Sequence, residues 1–205
     1  MRAFHAIFSA YGFWLPNDPR GSWSTWVGAW ELFRYGGKAT KVETTRSVAG
    51  RSHDRARRQE TKRHLKYAPV IFTGVQARAI GQGFYVASQK AGYQILACAI
   101  LPDHVHVVVA AHRNKPTMVV GHLKREATLQ LVAQGLHPFQ QLYEAGRPLP
   151  SCWAEKCWKV YLDTRADEER AIRYVEDNPQ KEGKPRQHWS CVVARTGTRR
   201  DKPAG

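Results

Sequence analysis

The chain has 205 residues, room for one domain with a real core, and an ordinary globular composition of 42% hydrophobic and 24% charged residues. Lys and Arg number 32 against 17 Asp and Glu, a formal charge of +15 and a pI near 10.0, so nucleic acid is the first partner class such a field attracts. No apolar run nears the roughly 20 residues that span a bilayer, the N-terminal residues lack the features of a secretory leader, and Cys98, Cys152, Cys157 and Cys191 lack the spacing of a zinc or redox site, so a reducing cytoplasm is the expected location.

Residues 3–11 alternate as a strand, with Phe4, Ala6, Phe8 and Ala10 on one side. The turn-rich segment from Leu15 to Gly21 ends it. From there to Lys66 the chain reads as irregular, an insertion or arm over about residues 16–67 rather than a second domain. Trp14, Trp23, Trp26 and Trp30 cluster at its start, either as a small satellite core or as faces that stack on unpaired bases. Eight basic residues (Arg46, Arg51, Arg55, Arg57, Arg58, Lys62, Arg63 and Lys66) stand against two acids further on, with nothing that predicts a core. They form either a solvated face or a grip on a phosphate backbone.

Order resumes with the apolar run Val70-Ile71-Phe72. Thr73 and Gln76 have the spacing of a capping box, which predicts a helix to Lys90 closed by Gly92. Gly81 and Gly83 weaken that helix and carry no functional signal. Gln94–Leu101 reads as a buried strand, Pro102-Asp103 as a break and His104–Ala111 as the next strand. A second helix is expected over Thr117–Gln134 and a third over Ala166–Asp177, stopped by Asn178-Pro179. This order predicts an α+β sandwich with helices on one face of an antiparallel sheet. Residues 1–190 form one domain, and 191–205 are expected to be a mobile basic tail.

The sharpest chemical feature is Leu101-Pro102-Asp103-His104-Val105-His106. Alternation puts His104 and His106 on one face of a strand and Val105, Val107 and Val109 on the other. Two neutral imidazoles so placed can hold a divalent cation; hydrogen-bonded histidines on an edge strand are the plainer alternative. A strongly apolar strand that spends two positions on His favours the first. Tyr174 and Asn178, four apart on the late helix, share one face, where a phenol and an amide would serve as nucleophile and companion ligand. The alternatives are a packing aromatic and a helix cap.

These segments resemble the single-tyrosine HUH transposases, especially the REP-associated tyrosine transposases and their insertion-sequence relatives. The likeness rests on Leu101–His106 after a strand ending Ala97-Cys98-Ala99-Ile100, and on the segment 174–183, which keeps Tyr174, Asn178, Pro179, Lys181 and Gly183. Trp153 and Trp158 fit the tryptophan-bearing stretch ahead of that helix. The resemblance covers Val70 to Trp189 and the first strand; the insertion departs from it.

It implies a ferredoxin-like antiparallel sheet, His104, His106 and Asn178 as metal ligands, and Tyr174 as the nucleophile that forms a 5′-phosphotyrosine. It also implies a single-stranded DNA substrate, often beside a hairpin, handled by a monomer or homodimer. Mg2+ or Mn2+ is the expected ion because hard phosphate oxygens complete its shell. Lys124, Arg125, Arg55, Arg57, Arg58 and Lys181 are the candidate DNA contacts. Two rivals are a domesticated binder without catalysis and an unrelated metal hydrolase. The latter usually adds several Asp or Glu ligands, and none cluster at 104–112.

Overall fold

The first strand, β1 (Ala3–Ala10), alternates as the sequence predicts and sits in the middle of a four-stranded antiparallel sheet. The computed structural model describes residues 1–44 and 48–193; Arg46 and the tail beyond 193 lie outside the described residues. Two helices occupy the insertion, α1 (Trp30–Gly36) and α2 (Arg55–Arg63). They are followed by α3 (Gly74–Ala91), β2 (Ile95–Ile100), β3 (His104–Ala110), α4 (Pro116–Ala133), β4 (Trp153–Leu162) and α5 (Arg165–Lys181). The sheet order is β2-β3-β1-β4 with every pair antiparallel. With α3 and α4 as its two crossovers, this is the ferredoxin-like arrangement.

The helices cover both faces, not one. Ile80 and Phe84 of α3 and Leu123 and Leu131 of α4 share a core with Phe4, Phe8, Val105, Val107 and Val109. Ala171 and Val175 of α5 share a second core with Ala3, Ala97, Ala99, Val108 and Leu162. Successive residues of a strand point to opposite faces, so Ala3 beside Phe4, and Ala97 and Ala99 on either side of Cys98, leave room for α5 to lie close. The continuous apolar runs of β2 and β3 already signalled burial on both sides.

Thr73 and Gln76 form the expected capping box, and Gly92 closes α3 with φ 71°. Gly83 marks the crossing of α3 and α4: a Cβ there would lie 2.5 Å from the Cα and N of Ala127. At α5 the start is a capping box, Thr164 with Asp167, and the helix runs through Asn178-Pro179 to Lys181 instead of stopping at Asp177. Proline disfavours helix for the residue before it. Here both residues are buried in the final turn, so packing overrides the local preference.

β4 has no counterpart in the sequence reading. It is an edge strand with Glu155 and Lys156 exposed, and such charges blunt the apolar alternation while protecting the edge.

The insertion is a folded lobe rather than an irregular arm. Among the described residues its apolar cluster is small, Leu15, Val27 and Leu32 with Ala39 and Leu65 packed against them, and buried polar groups add to it. Asn17 donates to the carbonyls of Leu32 (2.6 Å) and Gly37 (3.1 Å). Asp18 and Arg20 form a buried ion pair at 2.8 Å, with the guanidinium 3.8 Å from the Trp14 ring centre. Three of the four early tryptophans, Trp23, Trp26 and Trp30, stay exposed at 40%, 73% and 68%, so they do not make a satellite core. Residues 191–193 also depart from a free tail: Cys191 is buried, and Val193 donates to the Ile95 carbonyl at 3.0 Å on the edge of β2. No helix among the described residues is long and apolar enough to cross a membrane, and all four cysteines are free thiols.

Candidate active site

The break at Pro102-Asp103 resets β3 so that His104 and His106 fall on the α5 face while Val105 and Val107 enter the opposite core. Opposite them, α5 presents Tyr174 and Asn178 one turn apart. The Tyr174 ring lies 5.7 Å from the His106 ring, centre to centre, and the Asn178 amide nitrogen 3.2 Å from His106 Nε2. Lys181 joins them, its Nζ 4.9 Å from the Tyr174 ring centre. Four side chains read from two separate motifs, and the lysine of the second, therefore meet between one strand and one helix.

A third histidine completes the cluster. His5 on β1 is buried, with Nε2 3.1 Å from His106 Nδ1 and its ring stacked on His106 at 5.3 Å. It also touches the Tyr174 ring edge-on at 5.9 Å. Burial pushes His106 well below the ordinary imidazole range and His5 down to about 4, so both are neutral near pH 7. His5 was legible in one respect only. It belongs to the face of β1 that the Phe4–Phe8 pattern leaves over, and asking what that face carries would have found it.

The hydrogen bonds couple the tautomers of the two buried rings. If the Asn178 amide donates to His106 Nε2, then His106 carries its proton on Nδ1 and donates to His5 Nε2. At the outer end His104 Nδ1 lies 2.7 Å from the Asp103 carboxylate, which leaves Nε2 facing Glu182 Oε1 at 3.7 Å. With His104 Nδ1–H donating to the Asp103 carboxylate, the Nε2 lone pair and the Glu182 carboxylate oxygen face one another, an arrangement that suits a cation between them. Phe13 holds the His104 ring from the far side, stacked at 5.3 Å and 7°. Lys62, at the end of α2, donates to the Phe13 carbonyl at 2.8 Å, so the lobe braces this side of the site. Among the described residues no three His, Cys, Asp or Glu side chains form a metal-holding group; the third candidate donor is the Asn178 amide.

No protein-family model matches the sequence, and no curated protein matches it. Among solved structures the chain is similar to a REP-associated tyrosine transposase bound to a REP hairpin. Identity is 11%, covering 89% of this chain and 68% of that one, with a TM-score of 0.45. It is also similar to a candidate transposase from Deinococcus radiodurans R1, at 12% identity over 85% of this chain and 88% of that one, with a TM-score of 0.38. Both likenesses are distant.

The remaining basic residues divide. Lys124 and Arg125 sit on α4, on the sheet face opposite Tyr174, and do not join the cluster. Lys124 donates to the carbonyls of Ala154 (2.7 Å) and Glu155 (3.2 Å), and burial holds its ammonium below the usual lysine range. Arg125 is exposed and pairs with Glu126 at 2.8 Å. Arg55, Arg57 and Arg58 lie on α2 of the lobe, where Arg57 also donates to the Gly36 carbonyl at 2.9 Å.

Proposed function

We propose that the chain cuts single-stranded DNA and transfers the cut strand, with Tyr174 as nucleophile and Mg2+ or Mn2+ as cofactor. One observation carries this: an accessible phenol, 43% exposed, stands beside a histidine pair on the sheet, with an amide one turn further along its helix at 3.2 Å from His106 Nε2.

His104, His106 and Asn178 would hold the ion. Two imidazole nitrogens turn lone pairs towards α5, and the Asn178 amide offers its oxygen after a half-turn of the side chain. The mixed nitrogen and oxygen donors, with Glu182 beside them, suit a hard to borderline divalent ion whose shell phosphate oxygens complete. Bound there, the ion supplies a Lewis acid at the scissile phosphate.

Tyr174 Oη forms the bond to phosphorus as the bond to the leaving 3′ oxygen breaks. The phenolic proton passes to solvent while the leaving 3′ oxygen takes one up from solvent, and the products are a free 3′-hydroxyl and a 5′-phosphotyrosine. Lys181 places positive charge beside the phenol as it ionises. His5 accepts from His106 Nδ1 and keeps that ring in orientation. Because the phosphodiester energy is kept in the protein–DNA bond, a later 3′-hydroxyl can attack it and rejoin the strand without ATP. Tyr174 lies beside the histidines of its own chain, which supports action in cis, in a monomer or in each half of a homodimer. A hairpin beside the cleavage point is proposed on the motif resemblance alone.

Asn178 separates a ligand from a helix-end residue. Asn178→Ala should weaken Mn2+ affinity roughly ten-fold or more, while the lost hydrogen bond costs only about 1 kcal/mol of stability. Mn2+ titration and thermal melting on the same preparation measure both. A large fall in melting temperature with unchanged Mn2+ dependence would reassign the amide to fold stability.

The α2 arginines are proposed to grip the DNA backbone. For single strands, log affinity against log salt changes by roughly 0.7 per phosphate contact. Arg55→Ala with Arg58→Ala should therefore flatten the slope by about 1.4. Arg57 is left in place because it ties α2 to α1 through the Gly36 carbonyl. An unaltered slope would show that α2 does not touch the strand.

A further inference from the structure

The α5 helix packs chiefly on β2 and β3, and beyond it on the same side the lobe reaches the free edge of β4. There it builds a cleft of about 690 Å3 whose lining includes Trp23, Lys41 and Glu43 from the lobe and Cys157, Trp158 and Lys159 from β4. The two indoles lie 5.8 Å apart, tilted by 33°. Trp23 is held in place by its neighbour: Ser22 donates to the Thr40 carbonyl, and Val42 donates to the Ser22 carbonyl, both at 2.8 Å. Trp158 in turn meets His5 edge-on at 5.9 Å, and His5 meets Tyr174 at 5.9 Å. A continuous line of ring contacts thus joins the cleft to the proposed nucleophile.

We infer that this cleft takes one unpaired nucleobase of the DNA strand, next to the scissile phosphate, stacked on Trp23 and Trp158. The inference rests on the proposed strand cleavage and adds the site that positions the strand for it. Three features favour a base over another occupant. Trp23 holds a part-exposed indole on a fixed backbone against a second indole, which makes a preformed stacking face. Lys159 lines the cleft beside the rings, and Lys41, paired with Glu43 at 2.6 Å, adds a partly neutralised cation in a chain of net charge +15, a field that draws in a phosphodiester. The cleft lies along an edge strand, whose outward N–H and C=O groups can read the polar rim of a base. Stacking tolerates any base because each offers a π-face, so discrimination among bases would come from that edge. Since the lobe supplies Trp23, the insertion becomes a determinant of which strand is held rather than a passive appendage.

The test uses the full chain in EDTA, so that cleavage does not intervene, and an oligothymidylate carrying a single 2-aminopurine. Stacking of the aminopurine on an indole quenches its fluorescence. Wild-type protein should quench it. Trp23→Ala should relieve the quenching and weaken binding roughly ten-fold, the loss of one base stack. Trp23→Phe, which keeps a ring face, should restore much of both, and Trp26→Ala, 73% exposed but outside the cleft, should change neither. Quenching and affinity that survive Trp23→Ala would overturn the inference, as would absence of quenching in the wild type, the outcome if the edge of β4 instead receives a peptide strand. Adduct formation at Tyr174, assayed separately with metal, keeps the two claims apart. Adducts without quenching sink the cleft alone, and quenching without adducts sinks the catalytic assignment alone.

Discussion

Tyr174→Phe is expected to abolish the covalent protein–DNA adduct while leaving single-strand affinity within about two-fold of wild type, the range of a surface change that costs no more than about 0.5 kcal/mol. Only the phenolic oxygen is removed. The ring keeps its contacts with His5 and His106, and Lys181 remains over it. The histidine pair and Asn178 are untouched, so Mn2+ affinity should also hold. Adduct formation is read on a denaturing gel and affinity by fluorescence anisotropy. Should the Phe variant still form the adduct, Tyr161 on β4, 50% exposed, becomes the nucleophile to examine.

The second large effect concerns the fold that presents this site. Gly83→Val should destabilise the protein by on the order of 3 kcal/mol. A Cβ at Gly83 would meet Ala127 N and Cα at 2.5 Å and the Glu126 carbonyl carbon at 2.7 Å. These are backbone atoms of α4, which cannot rotate aside, so the two helices must separate and loosen the core beneath them. Gly121, on α4 itself, meets nothing within 4 Å. Gly121→Ala should therefore stabilise by up to about 1 kcal/mol through helix propensity alone. Denaturant unfolding of both variants measures the contrast. Equal, small effects of the two would mean that α3 and α4 do not cross at Gly83.

Local signals that agree with the tertiary structure were legible in advance. Thr73 and Gln76 announced α3, the apolar run at 94–101 announced β2, and the alternation through His104 and His106 announced both the strand and the face its two histidines share. The spacing of Tyr174 and Asn178 placed them on one face of α5 even though the helix was expected to end between them. What stayed hidden depends on contacts between distant segments. Asn17 and the Asp18–Arg20 pair stabilise the lobe through buried polar bonds, to which hydrophobic periodicity is blind. β4 pairs along its length with a strand that ends more than a hundred residues earlier, and its charged edge disguises the alternation. His5 gains meaning only when β1 is laid beside β3, which brings it against His106. Lys124 looked available for phosphate because nothing local shows that two carbonyls of β4 receive its ammonium.

The central claim is that Tyr174 becomes joined to the 5′ phosphate of a cut single strand in a metal-dependent step. The most direct measurement incubates metal-stripped protein with a pool of single-stranded DNA of randomised sequence, labelled at either end, with Mg2+, Mn2+ or excess EDTA, and resolves the denatured mixture on a gel. The prediction is that label at the 3′ end moves with the protein, label at the 5′ end is released on a shorter fragment with a free 3′-hydroxyl, and both events require the metal and fail on full duplex. Robust cleavage in excess EDTA would contradict the account, and so would tight binding of single strands with no adduct under either metal, the behaviour of a binder that has lost its chemistry.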